Sequence, residues 1–95
     1  MSTPEGKVKA AVKAYLAMIN AYWFMPVQYG YGATTLDFLV CYKGRFFAIE
    51  TKAPGRKMQP RQRLVYEDIR SKGGMPIVID NIETLAQTCR EHGLG

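Results

Sequence analysis

The stretch Leu36-Asp37-Phe38-Leu39-Val40-Cys41-Tyr42-Lys43-Gly44-Arg45-Phe46-Phe47-Ala48-Ile49-Glu50-Thr51-Lys52 decides the fold of this chain. Both arms are rich in aromatic and β-branched residues. Lys43-Gly44 sits between them, and Gly supplies the positive φ that a tight turn needs. The spacing predicts two antiparallel strands. A two-residue turn makes Asp37 and Glu50 direct cross-strand partners on one face, with Cβ atoms about 5 Å apart. Lys52, two residues beyond Glu50, shares that face. A three-residue loop with a bulge at Gly44 would instead shift the pairing by one and separate the carboxylates.

Carboxylates placed directly opposite each other repel. A chain that keeps them in an apolar hairpin points to a cation that offsets the repulsion, and hard oxygen ligands suit Mg²⁺ or Mn²⁺. A lysine beside that cation is placed to orient a nucleophilic water or to stabilise developing negative charge. The alternative reading is a solvent-facing strand edge with scattered charges.

The charge pattern continues from the hairpin. Five of the thirteen basic residues (Lys52, Arg56, Lys57, Arg61 and Arg63) lie in one segment that holds no acidic residue. The remaining eight basic residues match the eight acidic ones, so this segment carries the whole net charge of +5. A focused positive patch is the footprint of a polyanion-binding surface. After the Ala53-Pro54-Gly55 turn, Pro60 starts a second helix, with Leu64, Val65, Ile69 and Tyr66 as its inward stripe and Gly73-Gly74 as its stop. Met75-Pro76-Ile77-Val78-Ile79 reads as a central strand paired in parallel, because a helix crossover precedes it. Asp80 and Glu83 stand at capping-box spacing before a last helix that buries Ile82, Leu85, Ala86 and Cys89. His92 is a charge partner for its C-terminal end.

Towards the N-terminus, Thr3-Pro4-Glu5 opens a helix of roughly 17–20 residues, with Thr3 as N-cap. Val8, Val12, Tyr15, Leu16, Ile19, Tyr22 and Trp23 recur at helical spacing and form its buried stripe. Glu5 either complements the positive helix end or reaches the hairpin as a third carboxylate. Phe24 to Gln28 reads as a short edge strand, since Pro26 cannot donate to a ladder. Tyr29 and Tyr31 beside glycines either cover the end of the sheet or stack on bases. Trp23, Phe24 and Met25 either pack in the core or form an interface with a second copy.

Ninety-five residues, 47% hydrophobic and 22% charged, fit a single domain over 1–95 with one modest core. No apolar leader follows Met1, and no apolar run approaches the roughly 20 residues that span a bilayer. Cys41 and Cys89 lack metal-ligand spacing and are expected to be buried free thiols. A cytoplasmic or nucleoid-associated location, with no secretion and no membrane partner, is expected. The element order αβββαβα places the chain in the α/β class, a mixed sheet with helices on its faces.

Asp37 followed by Glu50-Thr51-Lys52 at the end of the next strand resembles the PD-(D/E)xK nuclease superfamily, whose core is restriction-endonuclease-like. The helix Gln59-Pro60-Arg61-Gln62-Arg63-Leu64, ending at Gly73-Gly74 before an apolar strand, narrows the resemblance. It is similar to the virus-type replication-repair nuclease (VRR-NUC) family over about residues 3–80. The resemblance implies a divalent-metal-dependent phosphodiesterase. Asp37, Glu50 and the Thr51 backbone carbonyl would bind Mg²⁺ or Mn²⁺, and Lys52 would polarise the attacking water. Glu5 corresponds to a first-helix glutamate of such sites, and Gln62 to a helix glutamine beside them. Arg56, Lys57, Arg61 and Arg63 would hold phosphates. Stand-alone members act as homodimers on branched DNA, including Holliday junctions. The family commonly has Gly-x-Pro-Asp where this chain reads Thr35-Leu36-Asp37. Flap or linear-duplex cleavage, and a non-catalytic nucleic-acid-binding module, are the competing readings.

Overall fold

The computed structural model describes residues 2–27 and 35–95. Seven elements follow in the order α1 (Pro4–Met18), β1 (Tyr22–Phe24), β2 (Phe38–Tyr42), β3 (Arg45–Thr51), α2 (Pro60–Ser71), β4 (Met75–Ile79) and α3 (Leu85–Glu91). The αβββαβα order is the expected one. The four strands form one mixed sheet in the order β1-β2-β3-β4.

The hairpin is the centre of that sheet. β2 and β3 pair antiparallel from Tyr42↔Arg45 to Phe38↔Ile49, so the turn holds two residues and the register is the one that opposes Asp37 to Glu50. Lys43 (φ 50°) and Gly44 (φ 78°) are both left-handed. This is the type I′ signature, whose twist matches that of the flanking strands. β4 joins β3 in parallel, with Glu50↔Val78 and Thr51↔Ile79 in register. It lies at the sheet edge, not at its centre as its apolar run suggested. Pro76 and Val78 alternate with the core-facing Ile77 and Ile79, so the strand is apolar on both faces although only one side is paired.

Alternation along the strands sorts the two faces. Phe38 and Val40, Phe47 and Ile49, and Ile77 and Ile79 point to one side, where they meet Val8, Val12, Tyr15 and Leu16 of α1 and Leu85 and Cys89 of α3. Leu94 closes this core, and the Tyr15 hydroxyl donates to its carbonyl at 2.6 Å. α2 covers the other face at β3–β4. A Cβ at Gly74 would lie 2.7 Å from Ile69 Cγ2 and 2.9 Å from Phe46 Cδ2, so the helix needs glycine there to dock this closely. No residue of α2 is fully buried, and Leu64, expected inside, is 72% exposed.

Several local expectations are corrected. α1 ends at Met18, and Asn20 takes a left-handed conformation (φ 61°) that ends the helical run. Tyr22 and Trp23 therefore belong to β1, not to the helix stripe, and β1 starts before Phe24. Trp23 faces the core opposite Val40, whereas Tyr22 and Phe24 lie exposed opposite Cys41 and Leu39. Of the three residues weighed as an interface, Trp23 and Met25 pack against the core and only Phe24 stands out. Both cysteines are free thiols, but Cys41 is exposed. Burial raises the Cys89 thiol to about 11. α3 starts later than the Asp80–Glu83 spacing implied, because Asn81 Oδ1 accepts from the backbone N–H of Glu83 (2.8 Å) and Thr84 (3.3 Å). Ile82 stays outside. His92 caps α3, with Nδ1 2.7 Å from the Thr88 carbonyl. Tyr29 and Tyr31 lie outside the described residues. No helix among the described residues is long and apolar enough to cross a membrane.

Candidate active site at the end of the central hairpin

The site forms where β2 begins and β3 ends. β2 enters the ladder only at Phe38, so Asp37 has no backbone partner on β3. Side chains take over. The Asp37 N–H donates to Glu50 Oε1 at 3.3 Å, and Asp37 Oδ2 accepts from the Thr51 N–H at 3.0 Å and the Thr51 hydroxyl at 2.6 Å. Strand alternation explains this pattern. The Lys52 N–H points to β4 and bonds the Ile79 carbonyl at 2.9 Å, so the Thr51 N–H points to β2. There it finds the Asp37 carboxylate in place of a backbone carbonyl.

Glu50 is 3% exposed. Its carboxyl is pushed up to about 7, first by burial and then by the neighbouring Asp37 charge, with Glu5 adding a little. Lys52 and the hydrogen bond from the Asp37 N–H pull the other way without cancelling the rise. Lys52 Nζ is 3.6 Å from Glu50 Oε2, and its side chain is 11% exposed. With both carboxylates ionised, Lys52 offsets one of the two negative charges.

Beside them lies a cleft of about 560 Å³, lined by Pro4, Glu5, Lys52, Ala53, Arg56 and Lys57, among others. Lys52 joins the two regions, touching Glu50 on one side and the cleft on the other. Glu5 faces this cleft from the start of α1, where the Thr3 hydroxyl accepts from the Gly6 N–H at 2.9 Å as N-cap. Glu5 pairs with Lys9 at 3.2 Å. Among the described residues no three His, Cys, Asp or Glu side chains form a group that could hold a metal ion, and Glu5 is near enough to Glu50 for its charge to act on that carboxyl.

Of the residues singled out in the sequence, Asp37, Glu50, Thr51 and Lys52 come together, and Glu5, Arg56 and Lys57 flank them. Gln62, Arg61 and Arg63 do not line the cleft. Gln62 uses its side-chain oxygen to accept from the Gln59 N–H at 2.9 Å, which caps α2. Gln59 lines the cleft instead. Its place directly before Pro60 was the available signal, because the residue that enters a helix here faces the preceding basic loop. The Thr51 side chain was also missed. The signal was a threonine between two site residues on a buried strand, where a hydroxyl must find a partner.

The donor set suits a hard divalent cation. It consists of the neighbouring carboxylates of Asp37 and Glu50, the latter pushed up to about 7 in the absence of a cation. Asp37, Glu50 and the Thr51 carbonyl are the groups that would hold such an ion.

The mixed four-stranded sheet carries Asp37 and Glu50-Thr51-Lys52 at the end of its central hairpin, with helices flanking it in the order αβββαβα. A solved structure described as "VRR_NUC domain" superimposes on it with a TM-score of 0.81 at 22% sequence identity, covering 96% of this chain and 98% of that one. The chain thus has the fold of a VRR_NUC domain. No family model matches the sequence, and no curated protein matches it.

Proposed function

We propose that this chain is a divalent-metal-dependent DNA endonuclease, working as one domain over residues 1–95 and acting on branched DNA such as four-way junctions. The observation that carries this reading is the Asp37–Glu50 pair with Lys52 at 3.6 Å, beside a cleft lined by Arg56 and Lys57. A module that only binds nucleic acid gains nothing from buried carboxylates next to phosphates.

Asp37, Glu50 and the Thr51 carbonyl hold Mg²⁺ or Mn²⁺, with Glu5 at the margin of the site. When bound, the ion supplies an activated water and neutralises charge on the phosphoryl oxygens. Lys52 orients the attacking water and stabilises negative charge developing at the phosphate. Arg56 and Lys57 hold the phosphodiester backbone in the cleft, and Arg61 and Arg63 on α2 extend the basic surface. Gln62 acts by fixing the start of α2. Phosphate contacts carry no base readout, so selectivity rests on DNA shape and on a homodimer that sets two sites at fixed separation.

Cleavage of labelled junction, flap and linear duplexes with Mg²⁺ or Mn²⁺ tests the proposal. The expected result is metal-dependent cutting that prefers the junction and falls at least about 100-fold in Lys52→Ala. Equal behaviour of wild type and Lys52→Ala excludes the nuclease reading. Preference for a flap or linear duplex keeps the chemistry and changes the target.

A further inference from the structure

We infer that the Thr51 hydroxyl is a positioning group that sets the orientation of the Asp37 carboxylate for metal binding. The inference rests on the metal-binding reading of Asp37 and goes beyond the Thr51 backbone carbonyl considered so far. Asp37 stands outside the β2–β3 ladder, so no strand pairing fixes its side chain. Its half-buried carboxylate has instead two donors from one residue, the Thr51 N–H at 3.0 Å and the Thr51 hydroxyl at 2.6 Å, both on Oδ2. The shorter contact has the length of a charge-assisted O–H···O⁻ bond. Two donors on one oxygen fix the carboxylate plane as well as its position. Oδ2 is thereby committed to the protein, and Oδ1 is the oxygen presented to the ion.

The anchor is itself rigid. Thr51 is fully buried, and its backbone is held in parallel register with Ile79 of β4. The N–H of Asp37 bonds Glu50 Oε1, so the two carboxylates and Thr51 form one connected unit. Partners that orient a ligand in this way typically change metal affinity by 10–100-fold when removed.

Calorimetric titration of the apo-protein with Mn²⁺, read beside thermal melts, tests the role without relying on turnover. Thr51→Val keeps the shape and removes the donor. It is expected to fold and to bind Mn²⁺ about 10-fold more weakly, while Thr51→Ser stays within about 3-fold of wild type. Equal affinity of Thr51→Val and wild type overturns the positioning role. If Thr51→Val fails to fold, Thr51→Ser is compared with Thr51→Ala, which differ only in the hydroxyl. Equal Mn²⁺ affinity in that pair likewise overturns the role. Absence of saturable Mn²⁺ binding in wild type is a separate outcome that removes the metal reading and this inference with it.

Discussion

The backbone N–H of Asp37 donates to the side chain of Glu50 across the end of the central hairpin, at 3.3 Å. The bond ties together two acidic residues that would otherwise move apart. It also gives their substitutions different consequences. Asp37→Asn keeps the backbone donor and a side-chain oxygen for Thr51 but removes the negative charge proposed to hold the ion. Cleavage should fall at least about 100-fold, the scale at which changes to a ligand's supporting partners already act. DNA affinity should persist or rise, since a negative charge near phosphates is lost. Gel shift and cleavage on one substrate check this, and joint loss of both would mean that Asp37 serves the fold.

Glu50 links stability to pH. Its folded-state carboxyl titrates at about 7, above its ordinary 4.5. The folded protein therefore binds the proton more tightly than the unfolded chain does. Stability is favoured below the unfolded value and is lost as pH rises between roughly 4.5 and 7. The full span corresponds to roughly 3 kcal/mol. Glu50→Gln should therefore stabilise the metal-free protein by about 1–3 kcal/mol at pH 8 and change little at pH 4. Mn²⁺ should reverse the ranking at pH 8, because only the carboxylate wild type gains from the ion. Thermal melts across pH, with and without Mn²⁺, test both parts.

The two strands were legible from their aromatic and β-branched arms around Lys43-Gly44, but a bulge at Gly44 stayed open as an alternative. The two-residue turn forms, and its register opposes Asp37 to Glu50. The position of β4 was not legible. A parallel strand covered on both faces by helices shows the same apolar run at an edge as in the middle. Tyr22-Trp23 was misread because its aromatics fit the α1 stripe as well as a strand. The competing signal, Asn20 in a left-handed conformation, carries weight only once β2 offers β1 a partner. Charge and spacing singled out Asp37, Glu50 and Lys52, and the fold brings these three side by side. The Thr51 hydroxyl and Gln59 depend on how strand ends and helix starts face each other, which spacing along the chain does not encode.

The basic segment divides between two surfaces, and salt dependence should separate them. Arg56 and Lys57 line the cleft beside Lys52, whereas Arg61 and Arg63 lie in the first turns of α2 and do not line it. Each phosphate contact on a duplex contributes about −0.9 to the slope of log affinity against log salt. Arg56→Ala with Lys57→Ala should reduce that slope by about 2 and also lower the cleavage rate of bound DNA. Arg63→Ala should reduce the slope by about 1 or less and leave the rate of bound DNA unchanged. Fluorescence anisotropy over a NaCl series, followed by single-turnover cleavage, measures both quantities.

Two glycines near the hairpin should respond to the same substitution for different reasons. Gly44 has a φ of 78° and nothing within 4 Å of the place a Cβ would take. Gly44→Ala therefore costs backbone strain alone, about 1–2 kcal/mol. Gly44→Asn should recover part of that loss, since asparagine tolerates the left-handed region. Gly74 has ordinary φ, but a Cβ there would come within 2.9 Å of both Ile69 Cγ2 and Phe46 Cδ2. Gly74→Ala must push α2 off β3, at about 1–3 kcal/mol, and asparagine should be worse than alanine. Denaturant unfolding distinguishes the two cases by the opposite response to asparagine. A second difference bears on the site. α2 begins at the cleft, so the Gly74 variant should weaken DNA binding, while the Gly44 variant, far from the cleft and with the register retained, should cleave normally per folded molecule.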